Sequence, residues 1–239
     1  MLIHAGGLDH REINRALREA GHTCTVTGCL GQRFIGAGMA DKAITVEGIP
    51  GNALGAYLNG AEITVAGNAQ DAVGDTMNGG RIVVHGSIGD AAGYAMRGGS
   101  IYVQGDAGYR AGIHMKAYRE KYPVMVIGGC AGSFLGEYQA GGLIIVFGLG
   151  AGMRRIVGRF PCTGMHGGKM ILRSDCKGLD LPDQVVIRPA EAEDLQEIER
   201  YAAEYCRLFG GDKAEVMAGP FTIITPDSRN PYKRLYVAN

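Results

Sequence analysis

Asp71 and Asp90 stand 19 residues apart. If the chain repeats at that spacing, their carboxyl groups stack about 5 Å apart, close to the separation of a nucleophile and acid/base pair in a retaining glycoside hydrolase. Asn52 holds the same phase and Tyr109 ends the row, which favours a plainer role in which each aspartate caps its own glycine turn. His114 and His166 each adjoin a methionine of the repeat, and His85 follows a repeat valine, so it should point into solvent. None has a carboxylate or second histidine at metal-ligand spacing, which leaves structural or contact roles. Ser87, Ser100 and Ser133 lie in Gly-rich turns without the GxSxG elbow of an esterase. The GxG pieces at 36–38 and 148–152 lack the strand–loop–helix unit of a phosphate loop.

Nearly all these groups sit in turns of one repeat, so the repeat must position them. Met39, Leu58, Met77, Met96 and Met115 are each 19 apart, as are Gly36, Gly55, Gly74, Gly93 and Gly112. Val46, Val65, Val84 and Val103 keep the same step, with Ile44, Ile63, Ile82 and Ile101 two residues earlier on the same strand face. Several ladders in one register mark a solenoid with one supersecondary unit per repeat. The alternating strand, the glycine and the Gly/Asn/Asp turn predict an all-β, right-handed parallel β-helix of about seven coils. At about 4.8 Å per rung the rod would be about 34 Å long. The pattern continues at Val124, Val126 and Gly128, then at Ile144, Val146 and Gly148, with an eighth coil if 170–173 forms a strand. The period is neither the hexapeptide step of an acyltransferase nor a calcium-binding nonapeptide, and GGxGxD is absent.

Two coils are enlarged, near 114–123 and 149–161; insertions in a solenoid become loops on one face, often the binding face. Asp9 and Glu12 form a capping box, Leu8 and Ile13 a staple, and Ile13, Ala16, Leu17 and Ala20 an apolar stripe. The division follows: a capping helix over 1–21, the β-helix over 22–175 and a helical, then extended tail over 176–239. In that tail, 190–209 carries an apolar stripe at Leu195, Ile198, Tyr201, Tyr205 and Leu208, and Pro220, Pro226 and Pro231 favour extended chain. Such a tail can close the last rung against edge pairing.

Lysine plus arginine (24) balances aspartate plus glutamate (24), so no basic field exists for nucleic acid. The 40 glycines sit at fixed phase, marking turns and not disorder. Cys24, Cys29, Cys130, Cys162, Cys176 and Cys206 make no CxxC pair. Scattered thiols without a leader lead us to expect a reduced, cytoplasmic protein. Apolar runs are strand-length, so no membrane span is expected.

The turns DAVGDTMNGG (71–80) and DAAGYAMRGG (90–99) resemble the GXGXG β-helix family. That family comprises the C-terminal domain of the glutamate synthase large subunit and the β-helical subunit of formylmethanofuran dehydrogenase. The stretches 31–38, 50–57, 67–71, 108–115 and 132–138 are similar to the stand-alone glutamate synthase form. The likeness spans most of 1–175 and extends loosely into the tail.

The resemblance implies a role without catalysis. In that enzyme an amidotransferase with an N-terminal cysteine releases ammonia, which passes by a tunnel to a flavin site and joins 2-oxoglutarate. The β-helix braces the two units. FMN and an iron–sulfur cluster are then expected on the partner synthase subunit, with no cofactor and no catalytic residue on this chain. Met1-Leu2 in place of the cysteine, and a length too short to add a flavin barrel of about 250 residues, lead us to expect a separate third subunit. Its partners would be the amidotransferase and FMN subunits; whether it also self-associates stays open. The turn glycines Gly36, Gly55, Gly74, Gly93, Gly112 and Gly136 are structural in this reading, and Met115, Lys116, Arg119 and His166, at the enlarged coils, are the expected partner contacts. The alternatives are a scaffold in a related complex, of formylmethanofuran dehydrogenase or N-methylglutamate synthase type, and a free-standing enzyme on a β-helix groove.

Overall fold

The computed structural model describes residues 1–230; Pro231, expected in extended chain, lies outside them. Strand β1 (Leu2–His4) precedes helix α1 (His10–Glu19). Then come β2 (Thr23–Leu30), β3 (Ala43–Ile49), β4 (Asn59–Val65), β5 (Gly79–Val84), β6 (Ser100–Val103), β7 (Val124–Ile127), β8 (Ala140–Val146) and β9 (Gly167–Leu172). These nine strands pair in sequence order, all parallel, giving a right-handed β-helix of about eight turns. The segment 170–173 does therefore contribute a last parallel strand. The sheet also starts earlier than expected, because β1 pairs with β2 ahead of the helix.

Register follows the apolar ladders. Ile44, Ile63, Ile82 and Ile101 are Cα partners in turn, as are Val46, Val65, Val84 and Val103, and all are buried in one continuous core. At β7 the expectation slips by one residue. Ile101 pairs with Met125 and Val103 with Ile127, so Met125 and Ile127 point inward and Val124 and Val126 outward. A one-residue slip exchanges the faces of a strand. It costs nothing here because the outer face is also dry: helix α2 (Ala192–Phe209) lies on it.

That second core joins Tyr102, Val126, Ile145 and Ile171 to Ile198, Ala202 and Tyr205. Tyr205 Oη donates to Gln104 O at 3.0 Å, and Arg81 and Lys169 on the sheet pair with Glu204 and Glu197 on the helix (2.8 and 2.7 Å). Leu195, expected on the apolar stripe, is 40% exposed, and Ala202 takes a buried place.

Both ends of the core are covered, the first by α1, whose Ile13 and Leu17 are buried in it. Asp9 accepts from the N–H of Arg11 and Glu12 while Glu12 accepts from Asp9 N–H, completing the capping box of α1. After β10 (Val185–Pro189), α2 and a short α3 (Lys213–Met217), strand β11 (Thr222–Pro226) runs antiparallel between β9 and β10. The last rung is therefore hydrogen-bonded and presents no free edge there.

Candidate interaction surface

At each corner the chain reverses through left-handed residues. The six turn glycines named above all have φ between +64° and +72°. At Gly74 the reason is also steric: a Cβ would lie 2.6 Å from Ile101 Cδ1 in the core. Sixteen non-glycine residues among the described ones share positive φ, including Ala53, Ala72 and Ala91. Each costs about 1 kcal/mol or more in isolation. Hydrogen bonds between rungs hold them: Ala53, Ala72 and Ala91 N–H donate to Asp71, Asp90 and Tyr109 O at 2.7–2.8 Å.

The chemistry-bearing side chains turn out to be part of that ladder. Asp71 Oδ1 accepts from Asp90 N–H (2.9 Å), and Asp90 Oδ1 from Tyr109 N–H (2.7 Å). Asn68, Ser87, Asp106 and Ser133 do the same for Ser87, Asp106, Cys130 and Arg159, at 2.7–3.0 Å. The aspartates therefore cap the next rung, 19 residues on, rather than their own turn. Five of the six cysteines are buried. Burial pushes the Cys29 thiol up to about 11, raises Cys162 and, helped by the Asp106 carboxylate, raises Cys130. Thiols in such settings are poor nucleophiles at neutral pH.

Side-chain amides finish the ladder where no rung follows. Asn14, on the buried face of α1, donates to His10 O and Phe34 O (2.8 Å each) and accepts from Gly36 N–H (2.9 Å). At the far end Gln184, oriented to satisfy both groups, accepts from Gly164 and Met165 N–H (2.8 and 3.1 Å). Sequence reasoning missed both; an asparagine within an otherwise apolar helix stripe was the available signal for the first.

The expected partner contacts divide. Met115 is fully buried in the methionine column, so it belongs to the core and not to a surface. Lys116 and His166 do come together, on a cavity of about 730 Å³ also lined by Gly167, Gly168 and Arg229. His166 Nδ1 lies 2.9 Å from Gly164 O. Arg119 sits apart, in a hairpin closed by Tyr118 and Lys121, with its guanidinium over the Tyr118 ring. His85 is exposed as expected, its ring edge-on to Phe209. His114 stacks on Tyr138 at 5.3 Å.

In the place a ladder methionine would take, Gln139 is fully buried; its Nε2 donates to Gly142 O (3.1 Å) and its Oε1 has no hydrogen-bond partner among the described residues. Glu137 Oε2 lies 2.9 Å from Arg110 Nε, an ion pair without hydrogen-bond alignment. The second enlarged coil carries Arg154, ion-paired to Asp106 at 3.1 Å, and with Arg155 and Arg159 it lines a cavity of about 530 Å³. No helix among the described residues is long and apolar enough to cross a membrane.

A Methanocaldococcus jannaschii protein, described as uncharacterized protein MJ1350, is 41% identical over 250 residues, spanning 99% of this chain and 96% of its own length. The fold is similar to a chain of the formyltransferase/hydrolase complex FhcABCD of Methylorubrum extorquens, determined with methylofuran bound. The TM-score is 0.66 and the identity 22%, covering 87% of this chain and 74% of that one. The model of the GXGXG motif matches residues 9–227. With the repeat, the stacked left-handed turns and the rung-to-rung caps, that match establishes that this chain belongs to the GXGXG motif family.

Proposed function

We propose that this chain is a non-catalytic scaffold subunit of a split glutamate synthase. It would brace a glutamine amidotransferase subunit against an FMN-dependent synthase subunit, so that ammonia reaches 2-oxoglutarate without escaping. FMN and the iron–sulfur cluster would sit on the synthase partner, and the cavity at Lys116 and His166 would meet one of the two.

One observation carries the reading. The aspartates, asparagine and serines best placed for chemistry are engaged as acceptors for the next rung's backbone. Committing them so makes the rod stiff, and stiffness is what fixed spacing between two active sites requires.

A second reading has its own support. The similarity to a chain of a formyltransferase/hydrolase complex favours a scaffold in a formyl-transfer assembly. Purifying the complex through a tag on this chain and identifying the other subunits separates the two. Amidotransferase and flavin subunits select the first, formyltransferase and hydrolase subunits the second. Glutamate formation by this chain alone would refute both.

A further inference from the structure

Two successive residues per rung form the left-handed turn column, and their chemistry changes along the rod. The middle rungs carry small or acidic pairs: Asn52 with Ala53, Asp71 with Ala72, Asp90 with Ala91. The later rungs carry Tyr109 with Arg110, Ser133 with Phe134, and Arg159 with Phe160. Backbone bonds from Arg110 N–H to Ser133 O and Phe134 N–H to Arg159 O put these three pairs directly over one another. The rings form a continuous strip, Tyr109 to Phe134 at 5.2 Å and Phe134 to Phe160 at 5.3 Å, with the Arg110 guanidinium over the first two.

Three observations say this strip is more than packing. Arg110, Phe134 and Phe160 hold φ of +57°, +59° and +56°, so three successive rungs place bulky side chains in strained positions where alanine serves in the middle rungs; in the first rung Phe34 stands alone in that position, against His10 of α1. Tyr109 and Phe160 remain 38% and 43% exposed, and Met153 on the adjoining loop projects wholly into solvent. Arg155 and Arg159, beside the strip, make no side-chain ion pair or hydrogen bond among the described residues.

We infer that this end of the turn column docks an acidic surface of a partner subunit, with Phe160 and Tyr109 as aromatic anchors and Arg155 and Arg159 as unpaired cations awaiting carboxylates. Exposed aromatics, methionine and arginine together are the composition of interface hot spots. Two free guanidiniums beside them fix the partner's sign. A nucleic acid fits less well, because Asp106 and Glu137 interrupt the positive charge and the chain as a whole is neutral. The proposal rests on the scaffold reading. It gives the rod a contact face that shares no residue with the Lys116/His166 cavity, so each of two partners has its own place.

The test is hydroxyl-radical footprinting of the free chain and of the complex isolated through a tag on it. Met153, Tyr109, Phe134 and Phe160 should lose reactivity in the complex; equal labelling in both states overturns the proposal. Arg155→Glu/Arg159→Glu/Phe160→Ala should keep the melting temperature of the isolated chain and bind that partner about 30-fold or more weakly at 0.15 M salt, with a flatter salt dependence. Wild-type affinity in that variant also overturns it. So does protection that vanishes on nuclease treatment, which would put nucleic acid on the face. Identification of the subunits decides the glutamate synthase reading, and labelling of the strip decides this one, so either can fail alone. Recovery of the chain without partners would sink both.

Discussion

The contact between α2 and the outer sheet can be broken at a single glycine. A Cβ at Gly128 would fall well inside van der Waals contact of Tyr205 Oη and Gln104 O, and 2.6 Å from Tyr205 Cζ. Tyr205 is 4% exposed, donates to Gln104 O at 3.0 Å and packs on Phe147 and Phe209 at 5.5 and 4.8 Å, so the ring has nowhere to go. Overpacking of this kind costs about 1–3 kcal/mol and the lost hydrogen bond about 1 more, so Gly128→Ala should destabilise by about 2–4 kcal/mol. Tyr205→Phe alone removes only the hydrogen bond, about 1 kcal/mol. In the double variant that bond is lost once, and the nearest clashing atom is gone. The double cost should therefore fall short of the sum by about 1 kcal/mol. Urea unfolding followed by circular dichroism gives the totals, and hydrogen exchange of 192–209 shows whether α2 is what loosens. Additivity to within about 0.5 kcal/mol, or unchanged exchange in α2 of Gly128→Ala, would refute the contact as described.

Asn14→Ala should cost about 2–3 kcal/mol, because it orphans the buried Gly36 N–H and removes two further bonds; thermal unfolding against an Arg11→Ala control checks it. Asp90→Asn keeps an acceptor for Tyr109 N–H and should alter neither melting nor the activity of the assembled complex, whereas a catalytic carboxylate would lose nearly all turnover on that change. Asp194 is held below the usual carboxylate range, chiefly by its hydrogen bonds to Arg188, one at 3.1 Å. The unfolded chain then takes up a proton near its ordinary value, about 3.9, while the folded one resists, so this stabilisation is full at neutral pH and disappears as pH falls through and below that value. Asp194→Asn should therefore lower melting at pH 7 and flatten its decline on acidification; an acid limb as steep as wild type would contradict this.

The period alone carries the fold, because glycine, methionine and valine ladders repeat at one step over coils that each bury the same inward face. What it misses is long-range. Residues 124–127 are apolar throughout, so no alternation marks the face, and α2, about 70 residues later, decides it. Strand β1 is three residues long and reaches its neighbour only across α1, too little signal for a strand. The phase of Asp71 and Asp90 is visible, but not that each accepts from the rung ahead, since that bond joins residues 19 apart. Met115 reads as a contact because it borders an insertion, although its ladder already assigns it to the core. The aromatic strip is hidden in the sequence because the enlarged coils set Arg110, Phe134 and Phe160 at steps of 24 and 26.

Rates of glutamate formation by the amidotransferase and flavin subunits, fed either glutamine or free ammonia, test the scaffold claim most directly. Adding this chain should raise the glutamine-fed rate severalfold and leave the ammonia-fed rate of the flavin subunit where it was. A glutamine-fed rate indifferent to the chain, or turnover by the chain in isolation, would contradict it.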